Sequence, residues 1–165
     1  MTLAIRTPTG LEAKDYINTG THASPVWVEI ARQKGSTIPR SKEEISWKDR
    51  DSEYEKTRGG HQSLGISFTY RHVRGADDAV RDDLLDSLVN RTAIEIATFD
   101  AAITEPGAVG LRQYVEVMKM DRKAETGAVV TYDVEAKHTE YYESSTLIEP
   151  GDYELSAGSS FSPIP

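Results

Sequence analysis

The stretch SLGISFTYR, residues 63–71, sends Leu64, Ile66, Phe68 and Tyr70 to one side and Ser63, Ser67, Thr69 and Arg71 to the other. A period of two marks a strand with one buried face, because successive side chains of an extended chain point in opposite directions. The same period recurs on both sides of it. Upstream, VWVEIAR opens after Pro25 and sets Val26, Val28 and Ile30 against Glu29; GSTIPRSK breaks the pattern at Gly35 and Pro39, and Ile45 and Trp47 resume it. Downstream, Ile94 and Ile96 alternate with Glu95. Two further alternating segments, LRQYVEVMKM (111–120) and AVVTYDVEAKHTEYY (128–142), are separated by the turn-like DRKAETG. In the last of these Val130, Tyr132, Val134 and Ala136 would face a core, leaving Thr131, Asp133, Glu135 and Lys137 on the wet side.

A single segment breaks the strand rhythm. DDAVRDDLLDSLVN, about residues 77–90, spaces Val80, Leu84, Leu85, Leu88 and Val89 as a helix does, with Asp77 placed to cap its N-terminus and Asp78 to complement its dipole. Asp82, Asp83 and Asp86 would form its solvated face. The expected fold is therefore mainly β: an antiparallel sandwich or partly open barrel with one flanking helix. Residues 1–24 read as an N-terminal arm, 25–142 as the β domain, and 143–165, which drift to Ser, Gly and Pro, as a C-terminal arm.

Composition limits the function classes. A chain of 165 residues fits one domain that buries roughly 70% of its unfolded surface. It holds no cysteine, so thiolate metal sites and disulfides are excluded. No signal peptide or membrane span is legible, and the chain reads as cytosolic and soluble. A net charge of -8 argues against tight wrapping of nucleic acid, since phosphate affinity comes mostly from Lys and Arg.

Catalytic chemistry finds little to build on. His22, His61, His72 and His138 lie apart and lack metal-ligand spacing, so no metal or cofactor is expected, and His72 reads as a packed side chain continuing the inward face of residues 64–70. GAVG (107–110) is too poor in glycine to cradle phosphate, and no serine sits in a nucleophile elbow. The acid pairs Glu43-Glu44, Asp77-Asp78 and Asp82-Asp83 occupy polar runs that would not push their pKa values apart. Met118 and Met120 share a strand face and read as sheet packing. The chain is not expected to be an enzyme.

One feature has no place in an ordinary sheet protein: ISWKDRDSEYEKTRGG, residues 45–60, where a hairpin would keep its connection to two to five residues. The order and spacing of several stretches resemble the major tail tube proteins of long-tailed bacteriophages. These are LEAKDYINTGTHASPVWVEIA, EYEKTRGGHQSLGISFTY, the acidic helix, AIEIATFD, GLRQYVEVMKM and VVTYDVEAK, covering most of residues 11–140. The resemblance implies a subunit that closes six-fold rings and stacks them into a hollow tube through which DNA passes without being bound. It also implies localisation to the virion tail after assembly in the host cytoplasm. Partners would be further copies of itself and the tape-measure, tail terminator and distal tail proteins, with no membrane partner. On this resemblance residues 48–60 form the loop that reaches the next ring, through Lys48, Asp49, Arg50, Asp51, Glu53, Glu55, Lys56 and Arg58. Mixed charges of this kind set register and reject wrong partners. The lumen would be lined by Thr131, Asp133 and Glu135, with Ser67 and Thr69 nearby, in acid-rich, lysine-poor walls. Two alternatives stand beside this reading: the inner tube of a contractile injection or secretion system, and a monomeric β-sandwich that binds a ligand through Trp27, Trp47, Tyr141 and Tyr142.

Overall fold

The structure is a computed structural model, which describes residues 13–48, 50, 53–72, 78–124, 129–155 and 161–164. In chain order its elements are β1 (Lys14–Asn18), β2 (Trp27–Glu29), β3 (Gln33–Thr37), β4 (Arg40–Trp47), β5 (Lys56–Arg71), α1 (Ala79–Asn90), β6 (Ile94–Phe99), β7 (Val109–Lys123), β8 (Thr131–His138), β9 (Tyr142–Glu143), β10 (Thr146–Leu147), β11 (Gly151–Leu155) and β12 (Phe161–Pro163). The fold is mainly β, with one helix among the described residues. The spine is an antiparallel sheet in the order β2-β1-β6-β7-β8-β5-β3, not closed into a barrel. β11 pairs with the start of β7 and carries β12, while β4 pairs with β5 alone.

β5 bears out the alternation of residues 63–71. Ile66, Phe68 and Tyr70 are buried in one core with Ile17, Ile96, Val115, Val117, Val134 and Ala136, contributed by neighbouring strands. The helix closes this core: Leu84 is buried in it, with Val80 and Leu88 packed alongside. Leu85 and Val89, whose spacing also allowed a core position, are exposed, because the sheet covers only the side of the helix that carries Leu84 and Ser87. The helix begins at Ala79 and its N-cap is Asp78, whose side chain accepts from the Arg81 amide. Capping thus falls one residue later than the sequence indicated, and Asp77 lies outside the described residues.

The helix sits over a bulge in β7. Register shifts between Val117 and Lys119, and the Val117 N–H, instead of joining the ladder, donates to the buried Ser87 hydroxyl at 3.1 Å. The extra residue turns Met118 out to 47% exposure while Met120 packs on the core. The two methionines therefore do not share a face.

The other side of the sheet is covered at one end only. There Tyr16, Ala97, Phe99, Ala108 and Leu155 form a second core, with Trp27 packed against it. Gly110 is required here, since a Cβ would lie 2.2 Å from the Thr98 carbonyl and against the Phe99 ring. Both segments read as arms supply part of this sheet. β1 pairs with β6 and buries Tyr16 and Ile17, and β11 pairs with β7 and buries Leu155. Each is five residues long and draws its stability from distant partners. The strand at Trp27–Glu29, expected to open the domain, is instead an edge strand outside β1. Val28 on it and Val26 just before it are exposed, although Ile30 is buried.

Candidate assembly surfaces

The β4–β5 hairpin is the first surface. Its strands pair from Arg40↔Leu64 to Trp47↔Lys56, so the expected loop of residues 48–60 is shorter than it read: Lys56 and Arg58 belong to β5, which leaves residues 48–55 between the two strands. Every residue of β4 is exposed, and Leu64 is where β5 meets the core side of the sheet. Beyond that point the ribbon is held by its own ladder. Lys48, Arg50, Glu53, Glu55, Lys56 and Arg58 are all exposed, so the structure brings them together at the free end; Asp49 and Asp51 lie outside the described residues. Ile45 and Trp47 are exposed as well, at 48% and 42%.

The second surface is the uncovered half of the sheet. Ser67 is paired with Glu135, Thr69 with Asp133 and Arg71 with Thr131, so the five polar residues singled out in sequence share one face. Its composition differs from the expected acid-rich, lysine-poor wall. Register also brings Lys34 opposite Thr69, Lys119 opposite Glu135 and Lys123 opposite Thr131. Lys123 pairs with Asp133, which also accepts from the Thr69 hydroxyl at 2.9 Å, and Lys119 lies 2.7 Å from Asp121. These bonds hold Asp133 below the ordinary carboxylate range and raise both lysines. The lysines come from β3 and β7, and only the pairing of strands reveals which of their residues share the face.

Behind the covered end of the sheet lies a buried ionic cluster that sequence gave no cause to connect. Glu95, 2% exposed, takes two bonds from Arg112 on one oxygen, at 2.7 Å and 3.0 Å, with His22 Nδ1 at 3.0 Å from the same atom. Its other oxygen accepts from Asn18 at 2.6 Å and from Tyr114 at 3.4 Å. Arg112 also lies between the rings of Trp27 and Tyr153, about 5 Å from each. Burial, with the charge of Glu95 beside it, pushes the Tyr114 phenol well above its usual range. The cluster pins the loop at residues 19–26 and the strand β11 to the sheet. Such a charge pair is structural in character, since every donor is directed at a neighbouring element rather than at an open site.

The residues proposed for ligand binding do not converge. Trp27 is packed, Tyr141 stacks on Tyr114 at 3.9 Å, and Trp47 and Tyr142 are exposed on separate hairpins. A cleft of about 620 Å3 separates the root of the β4–β5 hairpin from residues 149–152 and is spanned by Arg40–Asp152 at 2.8 Å. His72 Nδ1 lies 3.2 Å from an Asp78 carboxylate oxygen, and its ring lies edge-on to Tyr132. Among the described residues no cluster of three metal-ligating side chains occurs, and no helix is long and apolar enough to cross a membrane.

No family model and no curated protein matches the sequence. Solved structures do. A chain of the SPP1 tail tube superposes with a TM-score of 0.69 at 12% identity, over 91% of this chain and 81% of that one. A chain of the gene transfer agent matches at TM-scores of 0.63 in the native virion and 0.62 in the tail of the empty particle, refined with C6 symmetry. Identities are 12% and 14%, and each match covers 81% of this chain and 95% of that one. A chain of the six-fold symmetrised anti-feeding prophage baseplate matches at 0.55 and 9% identity, over 93% of this chain and 99% of that one. Identities this low carry the fold and not the activity, and the fold of this chain is the tail tube fold.

Proposed function

We propose that this chain is a structural virion protein, a tail tube subunit that closes into six-fold rings and stacks them into a conduit for DNA. The observation that carries the reading is the β4–β5 hairpin, whose first strand is exposed along its length and pairs in the sheet with β5 alone, on a chain with the fold of the SPP1 tail tube. A projecting two-stranded ribbon is marginal in water and gains its use when a neighbour covers it. The open sheet edges at β2 and β3 point the same way, since a ring satisfies ladders that a monomer leaves exposed. The polar half of the sheet would line the lumen, where Ser67, Thr69, Thr131, Asp133 and Glu135 offer DNA a wet surface. No catalytic role is part of this reading. Further partners would be the tape-measure, tail terminator and distal tail proteins.

Negative-stain electron microscopy of the purified chain over a concentration series tests it. Rings or hollow tubes are the expected result, and a strictly monomeric particle at the highest concentration overturns unaided assembly and returns the ligand-binding alternative. A second reading, the inner tube of a contractile injection or secretion system, draws on the likeness to the anti-feeding prophage baseplate chain. A stiff outer sheath around the tube in native particles would favour it.

A further inference from the structure

Two exposed surfaces of this chain match one another. On the hairpin, Trp47 is opposite Lys56 and Ile45 opposite Arg58, and residues directly opposite in a ladder share a face. Ile45 lies flat across β5 because residue 60 is glycine: a Cβ there would come within 2.9 Å of the Ile45 side chain. The result is a patch with an apolar row beside a basic row. On α1, Asp82, Leu85, Asp86 and Val89 follow the i, i+3, i+4, i+7 spacing of a single stripe, directed away from the buried Leu84 and Ser87. All four are exposed, Leu85 at 39% and Val89 at 69%. Here an apolar row lies beside an acidic one.

We infer that the hairpin of one copy seats on α1 of a second copy, Trp47 against Val89 and Ile45 against Leu85, with Lys56 against Asp86 and Arg58 against Asp82. Spacing and charge both support the match. Residues two apart on a strand are separated by roughly 6.6 Å, close to the ~6 Å between i and i+4 on a helix, and the two rows on each element lie about 5 Å apart. Within the chain Asp82 meets Arg81 at 3.1 Å, and Asp86 accepts from Asn90 and Thr92, bonds that orient both acids without removing them from the surface. Burial and the charges of Asp82 and Asp86 raise the pKa of the neighbouring Asp83, a crowding that an incoming cation relieves. The inference rests on the reading of the hairpin as the contact between stacked rings, and it adds the acceptor that reading lacks.

The absence of cysteine makes the test clean. Ile45→Cys and Leu85→Cys variants, mixed and oxidised after assembly, are expected to give a disulfide-linked dimer, whereas Ile45→Cys with Leu147→Cys, on the exposed β10 strand, is expected to give none. In parallel, Arg58→Asp and Asp82→Arg should each abolish tubes in electron micrographs, and the two changes combined in one chain should restore them. Tubes that form in both single variants, or a cross-link that favours residue 147, would overturn the inference and leave the tube reading in place. A wild-type chain that never assembles would instead overturn the tube reading, and this contact with it.

Discussion

Asp78 is where the helix is tied to the sheet. Its carboxylate accepts from the Arg81 amide and the Tyr70 hydroxyl, with His72 at 3.2 Å and Arg32 at 3.8 Å. Burial opposes its charge, yet these partners outweigh burial and hold its pKa below the ordinary carboxylate value; burial and the same bond push Tyr70 up to about 12. A carboxylate lowered in the folded state stabilises above its unfolded pKa, and that contribution is lost as pH falls through the folded value. Asp78→Ala is expected to cost about 2–3 kcal/mol at neutral pH, from the lost cap and the orphaned Tyr70 hydroxyl. Urea titrations check it: the gap from wild type should narrow as pH falls below the ordinary aspartate value of about 4. A gap that stays constant would mean that the charge contributes nothing. Arg112→Met should cost more, about 3–5 kcal/mol by the same measurement, because it leaves Glu95 charged and buried; pairing it with Glu95→Gln should recover most of that loss.

At the scale of elements, the proposed reading assigns the hairpin to assembly and the bulge to folding. Replacing residues 48–55 by a two-residue Asn-Gly turn should leave the urea midpoint within the error of wild type, since the core ends at Leu64, while long tubes disappear from electron micrographs. Unchanged tubes would remove the hairpin from the stacking contact. Ser87→Ala should behave in the opposite way, lowering stability by about 1–3 kcal/mol because the Val117 N–H is left buried and unpaired. Local pattern made β5 and β8 legible, because their alternation directly records which face is buried. It could not separate Glu29 from Glu95, both flanked by apolar residues on short strands: Glu29 is exposed and meets Lys14 at 3.0 Å, whereas Glu95 is buried under β11 and the loop at 19–26. Period two reports the side a residue takes, and only tertiary pairing decides whether that side is covered. For the same reason the Met118 bulge and the strands at Lys14–Asn18 and Gly151–Leu155 left no local signature.

For the whole molecule the decisive surface is the uncovered half of the sheet. Its acids were legible in the sequence because β8 alternates cleanly, whereas Lys34, Lys119 and Lys123 arrive from strands whose register no local rule fixes. The face is therefore balanced by ion pairs rather than dominated by acids. On the proposed reading this wall repeats around a ring and faces the lumen, where the pairing of Lys119 with Asp121 and of Lys123 with Asp133 leaves those two cations less available to phosphates. Asp133→Lys with Glu135→Lys breaks that balance. It frees Lys123 from its partner, adds two cations per subunit and leaves the core side, Val134 and Ala136, untouched. The variant is expected to fold and form tubes as wild type does, while particles carrying it retain DNA during ejection and release it again as salt is raised, because each added phosphate contact releases counterions. Ejection at the wild-type rate in low salt would place this face outside the lumen.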